Sequence, residues 1–194
     1  MHTAYIGMGA NLPSHAGPPE TTLAAAAHRL ESLGHVTRRS SLYSTEPVGF
    51  AAQPRFVNAV IELETLLAPR QLLDGLLAIE KEFGRDRSAA IANGPRTLDL
   101  DILLFDNATI SEPGLEVPHP RLKERKFVLI PLHEIASDLK EAQTEQTISQ
   151  VLDTLRASTG SDHDAVFPIQ SEIWRASASA GVGDRDAGPG AGPA

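Results

Sequence analysis

A chain of 194 residues with a formal net charge of −8 and no cysteine favours one domain, and it excludes disulfides and cysteine-ligated metal centres. The acid excess argues against a general nucleic-acid binder, which needs a basic surface. No apolar run approaches the roughly 20 residues that span a bilayer.

Hydrophobic residues make up 41% of the chain, enough for a core. Met1 to Gly9 lacks a basic segment followed by an apolar one, so no secretory signal is expected and a cytoplasmic location is. Ala4 to Met8 reads as an interior strand ending in a turn at Asn11-Leu12-Pro13. Gly7 and Gly9 interleave it, and strand glycines often mark the close approach of another backbone or a ligand. Leu12 stands where a dinucleotide fingerprint would need its third glycine. Thr21 to Leu33 reads as a helix with a stripe through Leu23, Ala26, Ala27, Leu30 and Leu33. Thr21 or Thr22 is expected to cap it and Gly34 to stop it. Val36 to Thr45 is an expected strand, broken by Glu46-Pro47-Val48-Gly49, which opens a loop through Pro54.

Phe56 to Thr65 alternates, with Val57, Ala59, Ile61 and Leu63 on one face and Phe56, Asn58, Val60 and Glu62 on the other. Pro69 to Phe83 is the clearest helix, with Pro69 in its first turn and Gly84 as its stop. A polar loop from Arg85 to Asn93 leads into Gly94 to Phe105, the stretch that organises the chain. Leu98, Leu100, Ile102 and Leu104 are expected on one face of a strand there, and Thr97, Asp99, Asp101 and Leu103 on the other. Past it, Ile110 to Val117 is irregular or a short strand, and Pro118-His119-Pro120 forbids helix. Arg121 to Ile135 is expected to hold short helix broken at Pro131. Glu145 to Arg156 is an amphipathic helix and Ala165 to Ile169 an edge strand. Residues 1–175 form the expected domain; 176–194, rich in glycine, alanine and proline, have little to bury and are expected to be disordered. Helices mixed with hairpin-like strand pairs predict an α+β layer on a mostly antiparallel sheet.

Asp99 and Asp101 put two carboxylates one pleat repeat apart, about 6.5–7 Å between Cα atoms. Such a pair repels itself unless a cation or a proton lies between. Asp is depleted in strands, so two in alternation need a reason. Mg²⁺ takes one or two carboxylates plus phosphate oxygens, and two metals about 3.5–4 Å apart could be clamped this way. Cations surround the strand: Arg85, Arg87 and Arg96 upstream, and His119, Arg121, Lys123, Arg125 and Lys126 downstream. Singly, each is an ordinary surface charge paired with an acid such as Glu80, Glu82 or Glu124. Together they suit a nucleotide polyphosphate, because arginine forks bind phosphate oxygens. Phe56 and Phe127 could stack on a planar heterocycle, with Asn58 supplying donor and acceptor, although phenylalanine in such settings is most often core. A Walker A loop, a zinc-protease helix motif and local hydrolase signatures are missing from the sequence.

Tyr5-Ile-Gly-Met-Gly-Ala-Asn-Leu12, Glu46-Pro-Val-Gly49, Gln53-Pro-Arg-Phe-Val-Asn58, Gly84-Arg85, Gly94-Pro-Arg-Thr-Leu-Asp-Leu-Asp-Ile102 and Val117-Pro-His119 occur in that order. Together, over roughly residues 4–140, they resemble the 6-hydroxymethyl-7,8-dihydropterin pyrophosphokinase family of folate biosynthesis. The resemblance implies a ferredoxin-like α+β sandwich. It implies transfer of the β,γ-pyrophosphoryl unit of ATP to the pterin hydroxymethyl oxygen, with release of AMP. It makes Asp99 and Asp101 the ligands of two Mg²⁺ ions, with Arg85 and Arg96 assisting transfer. Glu80, Arg87, Ile102, His119, Arg121 and Arg125 fall on the ATP side; Val48, Phe56, Asn58 and Phe127 fall on the pterin side. It implies small-molecule partners only and a monomer. Family members often carry Tyr at the Phe56 position, Trp at the Asn93 position and Tyr at the Pro120 position. A metal-dependent phosphohydrolase on the same acids, or an inactive nucleotide- or pterin-binding module, are the alternatives.

Overall fold

The alternating segments become strands of one antiparallel sheet, seen here in a computed structural model that describes residues 1–47, 52–87, 94–158 and 165–179. Strands β1 (His2–Ala10), β3 (Leu42–Thr45), β4 (Phe56–Thr65), β5 (Asp99–Phe105) and β8 (Val166–Ile169) run in the order β5-β1-β4-β3-β8. Strand β2 (His35–Arg39) also pairs with β4. A separate hairpin joins β6 (Ile110–Glu112) to β7 (Leu115–Val117). Among the described residues, helices α1 (Pro19–Leu30), α2 (Pro69–Glu82) and α3 (Lys126–Ala136) pack on the sheet, with α4 (Ile148–Ser158) against α3 and α5 (Glu172–Ser179) against α1.

Two apolar clusters show the layering. Ile6, Met8, Ala59, Ile61, Leu100 and Ile102 bury with Leu23 and Leu30 of α1 and Leu72 and Leu76 of α2. Tyr5, Val60 and Leu103 bury on the other face with Leu129 and Leu132 of α3 and Val151 and Leu152 of α4. Each fully buried leucine contributes about 1.5–3 kcal/mol relative to an exposed one. This is the α+β, ferredoxin-like architecture expected from the sequence.

Local differences have physical causes. Helix α1 starts at Pro19, before the expected threonine cap, because proline is pre-set for the first helical position. Thr22 instead lies in the first turn, its Oγ1 2.8 Å from Ser14 Oγ and donating to the Gly17 carbonyl at 3.1 Å. Gly34 stays a glycine because a Cβ there would meet the Glu64 carbonyl oxygen at 2.2 Å. The expected strand from Val36 to Thr45 splits at Ser40-Ser41. Ser40 Oγ accepts the Val60 N–H at 2.9 Å, and the Ser40 carbonyl accepts the Trp174 Nε1–H at 2.8 Å.

Pro131 does not break α3; the helix continues through it, held by buried Val128, Leu129 and Leu132. Helix α4 starts at Ile148, later than expected, because Thr147 and Gln150 form a reciprocal cap, each side chain accepting the other's backbone N–H. Strand β5 departs most. A register shift against β1 lies between Tyr5 and Ile6 and leaves Leu103 as the extra residue. Leu104 therefore joins Leu103 in the second cluster, and Phe105 returns to the first. The edge strand expected at Ala165–Ile169 is β8. Helix α5 runs through Ser179, so the stretch expected to be disordered begins as helix, while 180–194 lie outside the described residues.

Candidate active site

The register of three strands builds the floor of a cleft. Asp99 pairs with Gly9, and Gly9 pairs with Asn58; Asp101 pairs with Gly7, and Gly7 with Val60. Two residues without side chains thus separate the acidic strand from the strand carrying Asn58. A Cβ on Gly9 would lie 3.0 Å from Asn58 Oδ1. Above this floor opens a cleft lined by the charged Asp99, Asp101, Arg96, Arg121 and Arg125 together with Thr45, Phe56, Asn58 and Phe127.

Asp99 is held by two arginines. Arg85 Nη2 lies 3.2 Å from its Oδ1, and Arg96 Nε lies 3.2 Å from its Oδ2. Arg85 also donates from Nη1 to the Leu98 carbonyl at 3.0 Å. Among the described residues, the buried polar atoms without a hydrogen-bond partner are Arg85 Nε, Arg96 Nε and Thr97 Oγ1. Arg96 Nε is thus close to Asp99 in charge terms but out of line for a hydrogen bond. Orphaned donors of this kind are rare in native folds, and the two arginines that carry them here both pair with Asp99.

Asp101 carries the strain of the pair. Burial and the neighbouring Asp99 charge push its carboxyl up to about 6. His119 Nε2 lies 3.9 Å from Asp101 Oδ2, while His119 Nδ1 accepts the Arg121 backbone N–H at 3.1 Å. Burial, then the nearby Arg125 charge, hold the imidazole down to about 4, so it is neutral at pH 7. The peptide bond between Val117 and Pro118, which leads into His119, is cis.

Glu80 is 1% exposed and sits behind the acids. It accepts the Leu100 N–H at 2.8 Å and two bonds from Arg87, each at 2.9 Å. Burial nonetheless raises its pKa. Arg125 stands 5.5 Å over the Phe127 ring and Arg96 stands 4.9 Å over the Phe56 ring, both within cation–π range. Asn58 donates to Thr45 Oγ1 at 2.7 Å.

Most of the side chains singled out from the sequence meet here. Ile102 does not: its side chain buries in the core on the opposite face of β5, leaving only its backbone on the cleft side of the strand. Lys123 also leaves the ring of cations, pairing with Glu141 at 2.9 Å. Arg87 pairs with Glu80 and Arg121 with Glu124. Val48 and Asn93 lie outside the described residues. The reading of residue types missed Asn11, which is 3% exposed. Its Oδ1 accepts the Arg96 N–H at 2.7 Å, and its Nδ2 donates to Gln53 Oε1 at 2.9 Å and to the Pro54 carbonyl at 3.0 Å. A polar residue at a strand end beside Pro13 reads as a turn; only the long-range contacts reveal the rest.

Comparison with known proteins now decides the family. The family model for 7,8-dihydro-6-hydroxymethylpterin-pyrophosphokinase matches residues 5–137. The chain belongs to this pyrophosphokinase family. The 2-amino-4-hydroxy-6-hydroxymethyldihydropteridine pyrophosphokinase of Bacillus subtilis is 42% identical over 162 residues, covering 82% of this chain and 93% of that one. The protein of the same description from Haemophilus influenzae is 46% identical over 141 residues, covering 72% of this chain and 84% of that one. Among solved structures, wild-type Plasmodium falciparum HPPK-DHPS superposes with a TM-score of 0.64 at 15% identity, over 80% of this chain and 45% of that one. That likeness shows the fold alone. Within the pyrophosphokinase family span lie all the strands and helices that build the cleft; α4, β8 and α5 follow it.

Proposed function

We infer that this protein transfers the β,γ-pyrophosphoryl unit of ATP to the hydroxymethyl group of 6-hydroxymethyl-7,8-dihydropterin in folate biosynthesis, releasing AMP. Family membership carries the reaction. The observation that supports this cleft as its seat is the meeting of the Asp99–Asp101 pair with Arg96, Arg121 and Arg125 in a pocket that Phe56, Asn58 and Phe127 also line.

The acids suit Mg²⁺. A carboxyl held up to about 6 beside a second carboxylate, on a glycine floor, is chemistry that a divalent cation relieves. Among the described residues no cluster of three metal-ligating side chains forms, so ions held by Asp99 and Asp101 would complete their shells with phosphate and water oxygens. Bound there, Mg²⁺ supplies neutralisation of phosphate charge. Arg96, which lines the cleft, would offer its guanidinium to phosphoryl oxygens, and Arg85 would assist from behind by holding Asp99. The preorganised positive charge favours the more anionic transition state. Arg121, Arg125 and neutral His119 would line the triphosphate path, with Arg87 screened by Glu80 behind it, and Ile102 would contribute only backbone. Phe56 and Phe127 would stack on the pterin while the Asn58 amide reads its edge. The hydroxymethyl oxygen would then bond to the β-phosphorus and release its proton to water, the bond from the β-phosphorus to the α-bridging oxygen would break, and AMP would leave. Positioning supplies much of the rate. The reading carries with it a cytoplasmic monomer.

Incubation with ATP, Mg²⁺ and the pterin alcohol tests this. AMP and pterin diphosphate appearing only when all are present is the expected result. ADP or free phosphate formed without pterin would place the protein among hydrolases instead, and binding without turnover would make it an inactive module.

A further inference from the structure

Glu141 is a buried charge that the proposed chemistry does not use. Its side chain is 0% exposed. Carboxylates are almost never fully buried unless they are paired. Glu141 accepts the Gln143 N–H at 3.0 Å, the Thr144 N–H at 3.1 Å and the Thr144 hydroxyl at 2.7 Å. Its remaining partner is Lys123 Nζ at 2.9 Å. Burial works against its charge, but the bonds from Thr144 and Lys123 outweigh that and hold the carboxyl below the usual range.

The first three bonds organise Glu141's own turn. The fourth reaches outside it. Lys123 is the centre of a short 3₁₀ turn, Leu122–Glu124, flanked by the cleft arginines Arg121 and Arg125. Leu122 is 1% exposed and buries in the cluster that also holds Ile148, Val151 and Leu152 of α4. Two anchors therefore fix this turn: an apolar one under Leu122, shared by α3 and α4, and an ionic one at Lys123. The ionic one comes from beyond residue 137, where the family-model match ends. The pair also keeps the Lys123 ammonium out of the cleft, so the phosphate-facing charge there is arginine.

We propose that Glu141 is a positioning residue for nucleotide binding: through Lys123 it sets the turn that presents Arg121 and Arg125 to the polyphosphate. This rests on the assignment of those arginines to the ATP side. The geometry separates the role from simple stabilisation. Glu141→Gln keeps the shape but has one acceptor where the carboxylate uses two, Oε1 for the Gln143 N–H and Oε2 for the Thr144 groups, so it costs one bond of the turn as well as the charge that holds Lys123. Lys123→Gln attacks the same bond from a side chain that is 37% exposed, where folding tolerates the change.

Isothermal titration of the full chain with MgATP, followed by steady-state kinetics with the pterin alcohol, tests the proposal. Both single variants are expected to weaken MgATP binding about fivefold. The KM for the pterin should stay within twofold of wild type, and the double variant should be no worse than either single one. Glu141→Gln that lowers the melting temperature while MgATP affinity is unchanged would make the residue merely structural and overturn the proposal. Equal loss of both substrates would do the same. A wild-type chain that binds no MgATP would overturn the ATP-side assignment itself and the proposal with it.

Discussion

Asn11 clamps the Arg96 peptide from both ends: its side-chain Oδ1 accepts the Arg96 N–H at 2.7 Å, and its own N–H bonds the Arg96 carbonyl at 3.0 Å. The same amide holds the Gln53–Pro54 segment that leads into Phe56. One side chain thus fixes a phosphate-side arginine and the approach to the aromatic end together. Asn11→Ala should lower kcat/KM roughly 10²-fold, the scale of a small misplacement of a reacting group. Asn11→Asp, which keeps the acceptor and loses the donors, should lower it less. Steady-state kinetics on both variants checks this, and equal losses would mean that the Arg96 clamp is not the important half.

The acidic pair trades stability for function. Asp101→Asn removes a half-buried like-charge repulsion, so the metal-free protein should gain stability. The Asp101 side chain is 38% exposed, and solvent screening limits the gain to about 1 kcal/mol, or about 2–4 °C in Tm. The same variant should lose roughly 10³-fold in turnover. Asp99→Ala with Asp101→Ala should fold and show no turnover. Scanning calorimetry beside the AMP assay gives both readings, and a less stable but active Asp101→Asn would contradict the assignment.

Protons and Mg²⁺ should compete at Asp101. Its carboxyl is raised from the ordinary 3.8 to about 6, so below pH 6 the protonated form dominates and divalent binding must displace a proton. Mg²⁺ affinity should therefore fall about tenfold per pH unit below that value and level off above pH 7. Titration calorimetry with MgATP in buffers of different ionisation heat measures both the affinity and the proton released.

His119 should titrate far from an ordinary histidine. Its folded value near 4 lies below the usual 6.5, so between those values the unfolded chain binds more protons. Its contribution to stability is complete above about pH 6.5 and is lost as pH falls toward 4. Asp101, with a raised value, contributes in the opposite sense from 3.8 to 6. Proton NMR of the His119 ring should show no imidazolium-sized shift change between pH 8 and 5.5, only the smaller one that Asp101 transmits as it titrates near 6, and acid unfolding should be shallower in His119→Gln.

Gly9→Ala tests the floor. The added methyl would meet Asn58 Oδ1 at 3.0 Å, tighter than ordinary contact, and would push the amide toward the pterin end. The KM for the pterin alcohol should rise about tenfold, since overpacking costs about 1–3 kcal/mol, with MgATP affinity little changed.

The strands at Ala4–Met8 and Phe56–Thr65 and the helix at Pro69–Phe83 were legible because period-2 and period-3.6 patterns there are long and uninterrupted. Asp99 and Asp101 were legible for the opposite reason, since they break the composition a strand prefers. What stayed hidden was non-local. The bulge at Leu103 leaves the residue types of an unbroken strand. Pro131 reads as a breaker because a sequence does not display the packing that carries a helix through it. Asn11 and the Lys123–Glu141 pair depend on contacts 85 and 18 positions apart along the chain, and no local pattern marks either. The motif resemblance placed Ile102 near the nucleotide, but a motif position does not say which way its side chain points.

The extra residue at Leu103 has a consequence for how this protein tolerates change. On an ordinary strand, a one-residue deletion upstream could be absorbed by sliding, at the cost of turning every side chain over. Here the parity of β5 changes at the kink: Leu100 and Ile102 before it and Phe105 after it face the same layer, with Asp99 and Asp101 upstream and Leu104 downstream on the other. Sliding would drive carboxylates into oil and leucines into water at the same time, so intermediate alignments have nowhere to rest. The kink works as a pawl: it fixes where the acids sit more firmly than the backbone ladder alone could, and it makes β5 the last strand in which an insertion or deletion should survive.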